Sequence, residues 1–419
     1  MLNGMSDGPG PTGALHGIRV VDLTTVMMGP LAARILGDHG ADVVRIESLE
    51  GDTTRNSPPF RHPGMSASAL NLQRNKRSVS LDLKDPAGRR AAFELMTGAD
   101  VVVTNMRRGA LERLGLDSAT VRTTRPEVIY CVANGYGSTG PYADRPAYDD
   151  AIQAASGSAW LMGRMLGEPR YLPTIVADKV VGMALAQAVL AALVHRLRAG
   201  EGQTVEVPMF ETMVAFNLVE HHRGHTFEPP IGPVGHERVL SDRRRPCRSK
   251  DGWIGILPYT DAHWRDFFAI AGRPELATDP RFTGFNNRLA NIDAAYGFIA
   301  EVCPTRTTAQ WLAACDAHSI PAMAVLDLND AAADPQLAAV GLLEVVDHPS
   351  EGPYRYVRDA TSFSSSPTGL FRNAPRLGEH TAEVLSEIGW SDTEIAALLA
   401  SGAGLQAPPS DTARSDTAR

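Results

Sequence analysis

The first third of the chain alternates between short β-branched runs and helical runs, and this alternation is its most constraining feature. IRVVDL is followed by PLAARILGDHG, which ends at a glycine, and then by DVVRIE. Strand, helix and strand in this order form a βαβ unit with two parallel strands. The pattern continues through SVSLDLK, DPAGRRAAFELMTGA, DVVVTNM and EVIYCVANGYG. The sequence therefore predicts an α/β fold with a doubly wound sheet and ligand loops at the carboxyl ends of its strands.

A change in character near residue 225 predicts a second, smaller domain. The stretch HTFEPPIGPVGHERVLSDRRRPCRSKDG is polar and rich in loop-forming residues, and a length of 419 residues suggests roughly two domains. We expect a large α/β domain at 14–224 and a small α+β domain at 225–335. Hairpin and helix patterns follow at 336–400, and the polar repeat DTARSDTAR places a disordered tail at 401–419.

Composition excludes several functional classes. The net charge is -8, whereas a nucleic-acid binder should have a basic surplus. The four cysteines have no C-x-x-C spacing, which favours reduced structural thiols in a cytoplasmic protein. The N-terminus lacks the basic and apolar regions of a signal peptide. We interpret the apolar run around 180–195 as a buried helix rather than a membrane span, because it contains Gln187 and ends in charged residues.

Two common cofactor motifs and one metal motif are missing. VVDL is followed by TTVMMGP, not by G-x-G-x-x-G, and the chain has no Walker-type phosphate loop, so no nicotinamide, flavin or other cofactor is predicted. His221, His222 and His225 have a suggestive spacing but lack the glutamate of H-E-x-x-H. We therefore predict no metal site.

The stretch YLPTIVADKVVGMALAQAVLAALVH places an acid, Asp178, at the start of a long apolar helix. One interpretation is a helix cap, because a carboxylate accepts bonds from the unpaired N–H groups of a first turn. The other interpretation is a reactive carboxylate held in apolar surroundings. The residues of this stretch alone favour the cap.

Six stretches resemble a known family in the same order, between about residues 17 and 388. They are GIRVVDLTTVMMGPLAARILGDHGADVVRIE, NKRSVSLDLKDPAGR, VVTNMRRGALERLGL, GYGSTGPYADRPAYDDAIQAASG, ADKVVGMALAQAVLAALVHRLRAGEGQTVEVPMFE and APRLGEHTAEVL. The chain resembles the family III CoA-transferases, which include formyl-CoA transferase, carnitine CoA-transferase and α-methylacyl-CoA racemase. The resemblance implies a Rossmann-like large domain, a small domain joined by two linkers, and a C-terminal segment that returns to the large domain. It also implies an interlocked homodimer of ring-shaped protomers.

The resemblance changes the interpretation of Asp178, because it occupies the position of the family's nucleophile. A carboxylate there would attack an acyl-CoA thioester and form a mixed anhydride. Coenzyme A would enter as a thioester substrate, and a carboxylic acid would be the acceptor. Because Asp178 lies at a helix start, we expect the helix dipole to lower its pKa.

Tyr148 argues against one branch of the family. Racemase members have a His-Asp pair where this chain has Tyr148 and Asp149. A phenol is a poor general base near neutral pH, so transferase is favoured over racemase. Tyr148 could instead hydrogen-bond the acyl oxygen, and Asp149 is expected to be structural. A non-catalytic CoA-binding protein is the further alternative.

The CoA-binding residues are expected mostly at strand ends, where similar family positions contact the adenine, 3'-phosphate and pyrophosphate. The expected set is Val26, Met27, Arg45, Lys76, Arg77, Asn105, Met106, Arg107 and Arg113. The basic members would bind phosphate oxygens. Met106 stands where the family commonly has an aromatic residue. Val26 and Met27 would line the thioester end with free backbone N–H groups. The basic run at 241–250 could help to bind an anionic substrate.

Overall fold

The structure is a computed structural model and describes residues 13–408. The strands of this part are β1 Arg19–Leu23, β2 Asp42–Glu47, β3 Lys76–Leu81, β4 Val101–Thr104, β5 Ile129–Val132, β6 Thr204–Glu206, β7 Cys247–Arg248, β8 Trp253–Ile256, β9 Ala322–Ala324, β10 Leu343–His348, β11 Gly352–Val357 and β12 Gly404–Leu405.

The helices of the same part follow in chain order. They are α1 Met28–Asp38, α2 Ala67–Leu72, α3 Pro86–Gly98, α4 Arg108–Leu114, α5 Ser118–Thr124, α6 Asp149–Ala155, α7 Ser158–Leu166, α8 Val176–Ala199, α9 Met209–His221, α10 Glu237–Leu240, α11 Asp261–Ile270, α12 Phe285–Ala290, α13 Ile292–Val302, α14 Thr308–Asp316, α15 Pro335–Ala339, α16 Thr381–Glu387 and α17 Asp392–Ala400. Short 3-10 helices lie at Thr53–Asn56, Arg223–Thr226, Pro274–Thr278, Cys303–Thr305 and Leu328–Ala333.

The main sheet has seven strands in the order β12-β3-β2-β1-β4-β5-β6. Neighbouring strands from β3 to β6 pair in parallel, and β12 pairs antiparallel with β3. The order 3-2-1-4-5-6 is that of doubly wound nucleotide-binding sheets. The predicted α/β class is therefore confirmed.

Alternate residues of the parallel strands enter two separate cores, because successive side chains in a strand point to opposite faces. Val20 and Val43 lie in one core with α1 and α8. Val21 and Val44 lie in the other with α3, α16 and α17. Helices thus cover both faces, and the carboxyl ends of β1, β2, β4 and β5 meet at one edge, where α/β proteins bind ligands.

The chain divides into two compact units. The larger consists of 13–156, Pro173–Val214 and 336–408. The smaller consists of Gly157–Leu172 and Ala215–Pro335, and its aromatic core includes Phe267 stacked on Trp311 at 5.8 Å between ring centroids. The predicted boundary at 225 falls ten residues late, and α7 joins the smaller unit, where Ser158 accepts a hydrogen bond from Asn217 at 2.9 Å.

The predicted disordered tail needs correction at its start. Leu405 pairs with Ser80 in the main sheet, and the Thr381 hydroxyl donates to the Leu405 carbonyl oxygen at 2.6 Å. A two-residue strand gives no periodic signal, so the sequence could not show this edge strand. The remainder of the predicted tail, 409–419, lies outside the described residues.

Helix α8 carries Asp178, the candidate nucleophile. Among residues 13–408 it is the one helix long and apolar enough, by length and composition, to cross a membrane. Its buried side chains, including Val181 and Leu185, lie in the core shared with α1. At Gly182 an added Cβ would lie 2.7 Å from the carbonyl oxygen of Met28, so only glycine permits this close approach of the two helices.

Candidate active site

A cavity of about 700 Å³ lies at the carboxyl edge of the main sheet. It is bounded by the β1–α1 turn, the segment after β4, the start of α6 and the first turn of α8. Predicted site residues that line it are Val26, Met27, Asn105, Arg107, Arg113, Tyr148 and Asp178. The fold therefore brings together residues that are up to 152 positions apart in sequence.

Asp178 lies in the first turn of α8, but it is not the cap of that helix. Its backbone N–H donates to Asp149 Oδ1 at 3.0 Å, so the capping carboxylate is that of Asp149. Asp149 Oδ2 also accepts from Gln153 Nε2 at 2.5 Å, in agreement with the expected structural role. Within residues 13–408 no hydrogen bond occupies the carboxylate of Asp178, and the cavity is open to it.

The pKa of Asp178 is shifted in the direction opposite to our expectation. Burial, together with the nearby charge of Asp149, raises it to about 6. A helix dipole stabilises an anion by about 0.3–1 kcal/mol at exposed sites. Desolvation and the charge of a second carboxylate destabilise the anion here by more than this amount. The predicted lowering is therefore wrong. A carboxylate with a raised pKa is a stronger base and a stronger nucleophile once ionised.

Tyr148 precedes α6 directly and lines the same cavity as Asp178. Its side chain is 72% exposed on this chain and makes no cap hydrogen bond. The hydroxyl is therefore free to meet a ligand in the cavity.

The β1–α1 turn is held by two side chains from other elements. Asn105 Oδ1 accepts from the Thr25 backbone N–H at 3.0 Å, and Asn105 Nδ2 donates to the Thr25 carbonyl oxygen at 2.9 Å. Asp52 Oδ2 accepts from the Val26 backbone N–H at 2.8 Å. Two expectations are thereby corrected, because the Val26 N–H is not free for an oxyanion and the Asn105 amide is already paired with backbone.

Four arginines line the cavity without a carboxylate partner among residues 13–408. Arg107 and Arg113 were expected; Arg108 and Arg145 were missed by the sequence analysis. Arg145 lies over the Tyr142 ring at 4.2 Å from its centroid. Arg108 directly follows Arg107, so the strand-end reasoning that found one could have found both. Exposed, unpaired guanidinium groups suit phosphate or carboxylate ligands.

A second cavity of about 580 Å³ adjoins the first and shares Thr25, Ala110 and Arg113 with it. Met106 lines this second cavity, in keeping with an apolar contact for an adenine ring. Lys84 also lines it and was missed, although it follows the end of β3 as the other candidates follow their strands.

The guanidinium group of Arg45 contacts three carboxylates. Arg45 lines the second cavity but is fully buried, and its guanidinium contacts Asp22 at 3.3 Å, Glu47 at 3.3 Å and Asp52 at 2.7 Å. Burial opposes its charge, but these three acids raise the pKa of Arg45 above its ordinary value. The predicted phosphate contact is therefore replaced by a buried ion-pair network.

Lys76 and Arg77 were expected to bind CoA from a position just before a strand, but they are the first two residues of β3. They lie at its amino end, away from the carboxyl edge that holds both cavities. Lys76 Nζ donates to Asp22 at 3.0 Å, and burial lowers its pKa to about 8. Arg77 binds Asp42 at 2.7 Å and Glu387 at 2.6 Å. Neither residue lines either of the two cavities described above.

Comparison with known proteins agrees with this geometry. The family description CoA-transferase family III matches residues 15–381. The succinate–glutarate CoA-transferase of Agrobacterium fabrum is 33% identical over 92% of this chain and 98% of that protein. The beta subunit of succinyl-CoA–L-malate CoA-transferase from Chloroflexus aurantiacus is 33% identical over 93% of this chain and 98% of that protein.

A further relative and a solved structure show the same likeness. The formyl-CoA:oxalate CoA-transferase of Afipia carboxidovorans is 30% identical over 93% of this chain and 97% of that protein. The crystal structure of a CAIB/BAIF family protein from Brucella suis superposes with a TM-score of 0.76 at 30% identity, covering 90% of this chain and 99% of that one. The chain therefore belongs to CoA-transferase family III and is a CoA-transferase.

Proposed function

We propose that this transferase moves CoA between a short-chain acyl-CoA and a free carboxylic acid through covalent intermediates on Asp178. The observation that carries the proposal is the arrangement of Asp178, which is half-buried, unpaired and raised in pKa, in one cavity with unpaired arginines. A nucleophile, an exposed phenol and cationic groups around a single space suit exchange between a thioester and a carboxylate.

The exchange would proceed in balanced steps. The Asp178 carboxylate attacks the thioester carbonyl, the C–S bond breaks, and a mixed anhydride and CoA thiolate result. The thiolate attacks the Asp178 carbonyl of that anhydride, which releases the donor acid and leaves an aspartyl-CoA thioester. The acceptor carboxylate attacks this thioester to give a second anhydride, and the released thiolate takes the acceptor acyl group. Water must be excluded, because it would hydrolyse each intermediate.

The binding roles follow from the cavities. Arg107 and Arg113 would bind CoA phosphates, Lys84 and Met106 would bind the nucleotide end in the second cavity, and Met27 would lie at the thioester. No separate cofactor is required by these steps.

The acceptor is proposed to be a dicarboxylate. The relatives described above are named for succinate, glutarate, malate and oxalate. The cavity offers two further unpaired guanidinium groups, Arg108 and Arg145, beyond those assigned to CoA. A dicarboxylate would keep one charged group for such a guanidinium while the other reacts.

We also propose a cytoplasmic homodimer in which a second copy of the chain interlocks with the first. Large apolar side chains stand exposed on one chain, including Leu197 at 80% and Val219 at 84%. Large apolar side chains that stand exposed on a single chain are often covered by a partner at a protein interface. Dilution into the nanomolar range followed by sedimentation should show dimer without folded monomer.

The racemase-type isomerase and the non-catalytic CoA-binding protein are the rivals. A racemase would exchange the α-proton of a 2-methylacyl-CoA with solvent deuterium, because inversion requires proton removal. We expect no deuterium incorporation, because Tyr148 replaces the histidine of that branch. A binding protein would show neither exchange nor an adduct.

Trapping the adduct tests the proposal directly. The enzyme is given acyl-CoA without acceptor, treated with hydroxylamine or borohydride, and digested for peptide mass spectrometry. The modification should map to Asp178 in YLPTIVADK and be absent in Asp178→Asn. Asp150→Asn is the matched control, since Asp150 is an exposed acid on α6 and should leave the adduct intact. Full turnover in Asp178→Asn would refute the assignment.

A further inference from the structure

The β1–α1 turn contains a backbone conformation that its residue disfavours. Val26 has φ 68°, in the left-handed region. A β-branched residue with positive φ is rare, because its side chain crowds the backbone there. Such a conformation is strained and persists only where its surroundings impose it. Because Val26 and Asp178 line the same cavity, the strain lies at the active site.

A hydrogen bond to Asp52 stabilises the conformation of Val26. Asp52 Oδ2 accepts from the Val26 N–H at 2.8 Å, and its Oδ1 accepts from the Thr54 backbone N–H at 2.8 Å and hydroxyl at 2.9 Å. The side chain of Asp52 is only 1% exposed. A charged, buried acceptor binds a backbone N–H roughly twice as strongly as a neutral one.

Arg45 fixes Asp52 in turn. Its Nη2 donates to the same Oδ2 that binds Val26, at 2.7 Å, while its other nitrogens contact Asp22 and Glu47. Rotation of a buried charged side chain is costly, because it leaves the opposite charge without a partner. The ion pairs of Arg45 are thus connected, through Asp52, to the backbone of the β1–α1 turn.

The two residues that directly follow Val26, Met27 and Met28, also line the cavity. Within residues 13–408 neither backbone N–H has an intramolecular acceptor. Both belong to the start of α1, where unpaired N–H groups and the helix dipole favour negative charge.

We propose that Asp52 is a positioning residue for the transfer, and this rests on the proposed role of Asp178. By binding the Val26 N–H, Asp52 keeps Val26 at positive φ, and this holds the Met27 and Met28 N–H groups beside Asp178, where the carbonyl oxygen of the reacting thioester becomes negative. Asp52 does not touch the substrate in this role. Arg45 acts one step further back, by orienting Asp52.

A double-mutant cycle with Val26 tests the proposal. Asp52→Ala is measured in the natural background and again in the Val26→Gly background. Glycine adopts positive φ without cost, so the turn no longer needs Asp52. We expect Asp52→Ala to lower kcat about 100-fold in the natural background, because the loss of one oxyanion donor costs at least about that much. In the Val26→Gly background the same substitution should lower kcat no more than about threefold. The KM for acyl-CoA should change less than kcat. Thr54→Val is the matched control, since it removes only a hydroxyl bond to the other oxygen of Asp52, and its kcat should stay within about twofold.

Equal losses in both backgrounds would overturn the proposal, because Asp52 would then support the fold without acting through the turn. An unchanged kcat in Asp52→Ala would overturn it too. If Asp52→Ala does not fold, Asp52→Leu, which is close in size and has no acceptor oxygen, replaces it in the same cycle. A crystal structure of the variant gives a readout independent of activity: Val26 should leave positive φ when Asp52 is lost, and a φ unchanged near 68° refutes the clamp. If the wild type transfers CoA between no pair of acids, the proposed function fails, whereas the Val26 conformation still decides whether Asp52 holds the turn.

Discussion

The carboxylate of Asp149 accepts the backbone N–H of Asp178 at 3.0 Å, so a second acid caps the helix that carries the reactive one. The helix cap and the candidate nucleophile are therefore two different carboxylates, whereas the sequence around Asp178 left both roles to one residue. Asp149 satisfies the helix end, which leaves the Asp178 side chain unpaired. The charge of Asp149 also adds to burial in raising the pKa of Asp178.

The first prediction concerns the pH dependence of turnover. Because the pKa of Asp178 is raised to about 6, its ionised fraction and therefore kcat/KM should rise with pH through that value. Asp149→Asn should move this acid limb to lower pH, since one cause of the shift is removed, but burial should keep it above the ordinary aspartate value. The measurement is a pH profile of kcat/KM for both enzymes. A limb that stays in place in Asp149→Asn would show that its charge does not act on Asp178.

The second prediction concerns stability and follows from the same raised pKa. Between the ordinary value of 3.8 and about 6, the folded state binds more protons at Asp178 than the unfolded state does, so stability decreases as pH rises through this window. Asp178→Asn removes that loss. It should stabilise the protein by about 1–2 kcal/mol at neutral pH and by much less at acid pH. Urea unfolding near pH 4 and pH 7.5 would measure the difference; a variant less stable than wild type at both would contradict it.

The third prediction separates CoA-binding arginines from structural ones. Arg107→Ala or Arg113→Ala should each raise the KM for acyl-CoA by about 10- to 100-fold with a smaller effect on kcat, because a charge-assisted contact contributes about 1.5–3 kcal/mol in ground and transition states alike. Arg77→Gln is the control. It should lower the melting temperature and leave KM unchanged, because its partners are Asp42 and Glu387. A KM effect confined to Arg77→Gln would restore the original sequence prediction.

The fourth prediction concerns the packing of the helix that carries Asp178. Gly182→Ala would place a methyl group 2.7 Å from the Met28 carbonyl oxygen, so α8 must move away from α1. We expect a loss of about 1–3 kcal/mol in unfolding free energy and a fall in kcat. Gly98→Ala is the matched control, because an added Cβ at this helical glycine meets nothing within 4 Å. It should be neutral or stabilising by up to about 1 kcal/mol. Equal changes in unfolding free energy and kcat in the two variants would contradict the prediction.

The fifth prediction addresses the acceptor acid. Arg145→Gln should raise the KM for a dicarboxylate acceptor while leaving the KM for the acyl-CoA donor within about twofold, since its guanidinium would bind the distal carboxylate. With a monocarboxylate acceptor the same variant should behave like wild type. Steady-state assays with both acceptors decide this. Equal effects on both acceptors would assign Arg145 to a different role.

Features predicted correctly are those with a local signal. The β-branched runs and their glycine or proline boundaries located β1, β2, β4 and β5. These are properties of a short window of sequence, because periodicity and turn chemistry act over a few residues.

Features missed depend on distant partners. Lys76 and Arg77 were expected to bind CoA phosphates, but Asp22 and Asp42, on other strands of the sheet, supply their counter-charges. Burial raises the pKa of Asp178, and the charge of Asp149, which is 29 residues away, adds to this. Neither cause can be read from a short window of sequence around Asp178, so the helix dipole considered alone gave the wrong sign.

The edge strand β12 has a consequence for synthesis on the ribosome. The main sheet begins to form from β1 to β6, all of which are made within the first half of the chain, but its last strand and helices α16 and α17 are made at the end. Until those residues leave the exit tunnel, β3 has an open edge and the core under α3 stays uncovered. The nascent chain must therefore carry an incomplete sheet through the synthesis of the whole second unit, a period in which an exposed edge invites pairing with another chain.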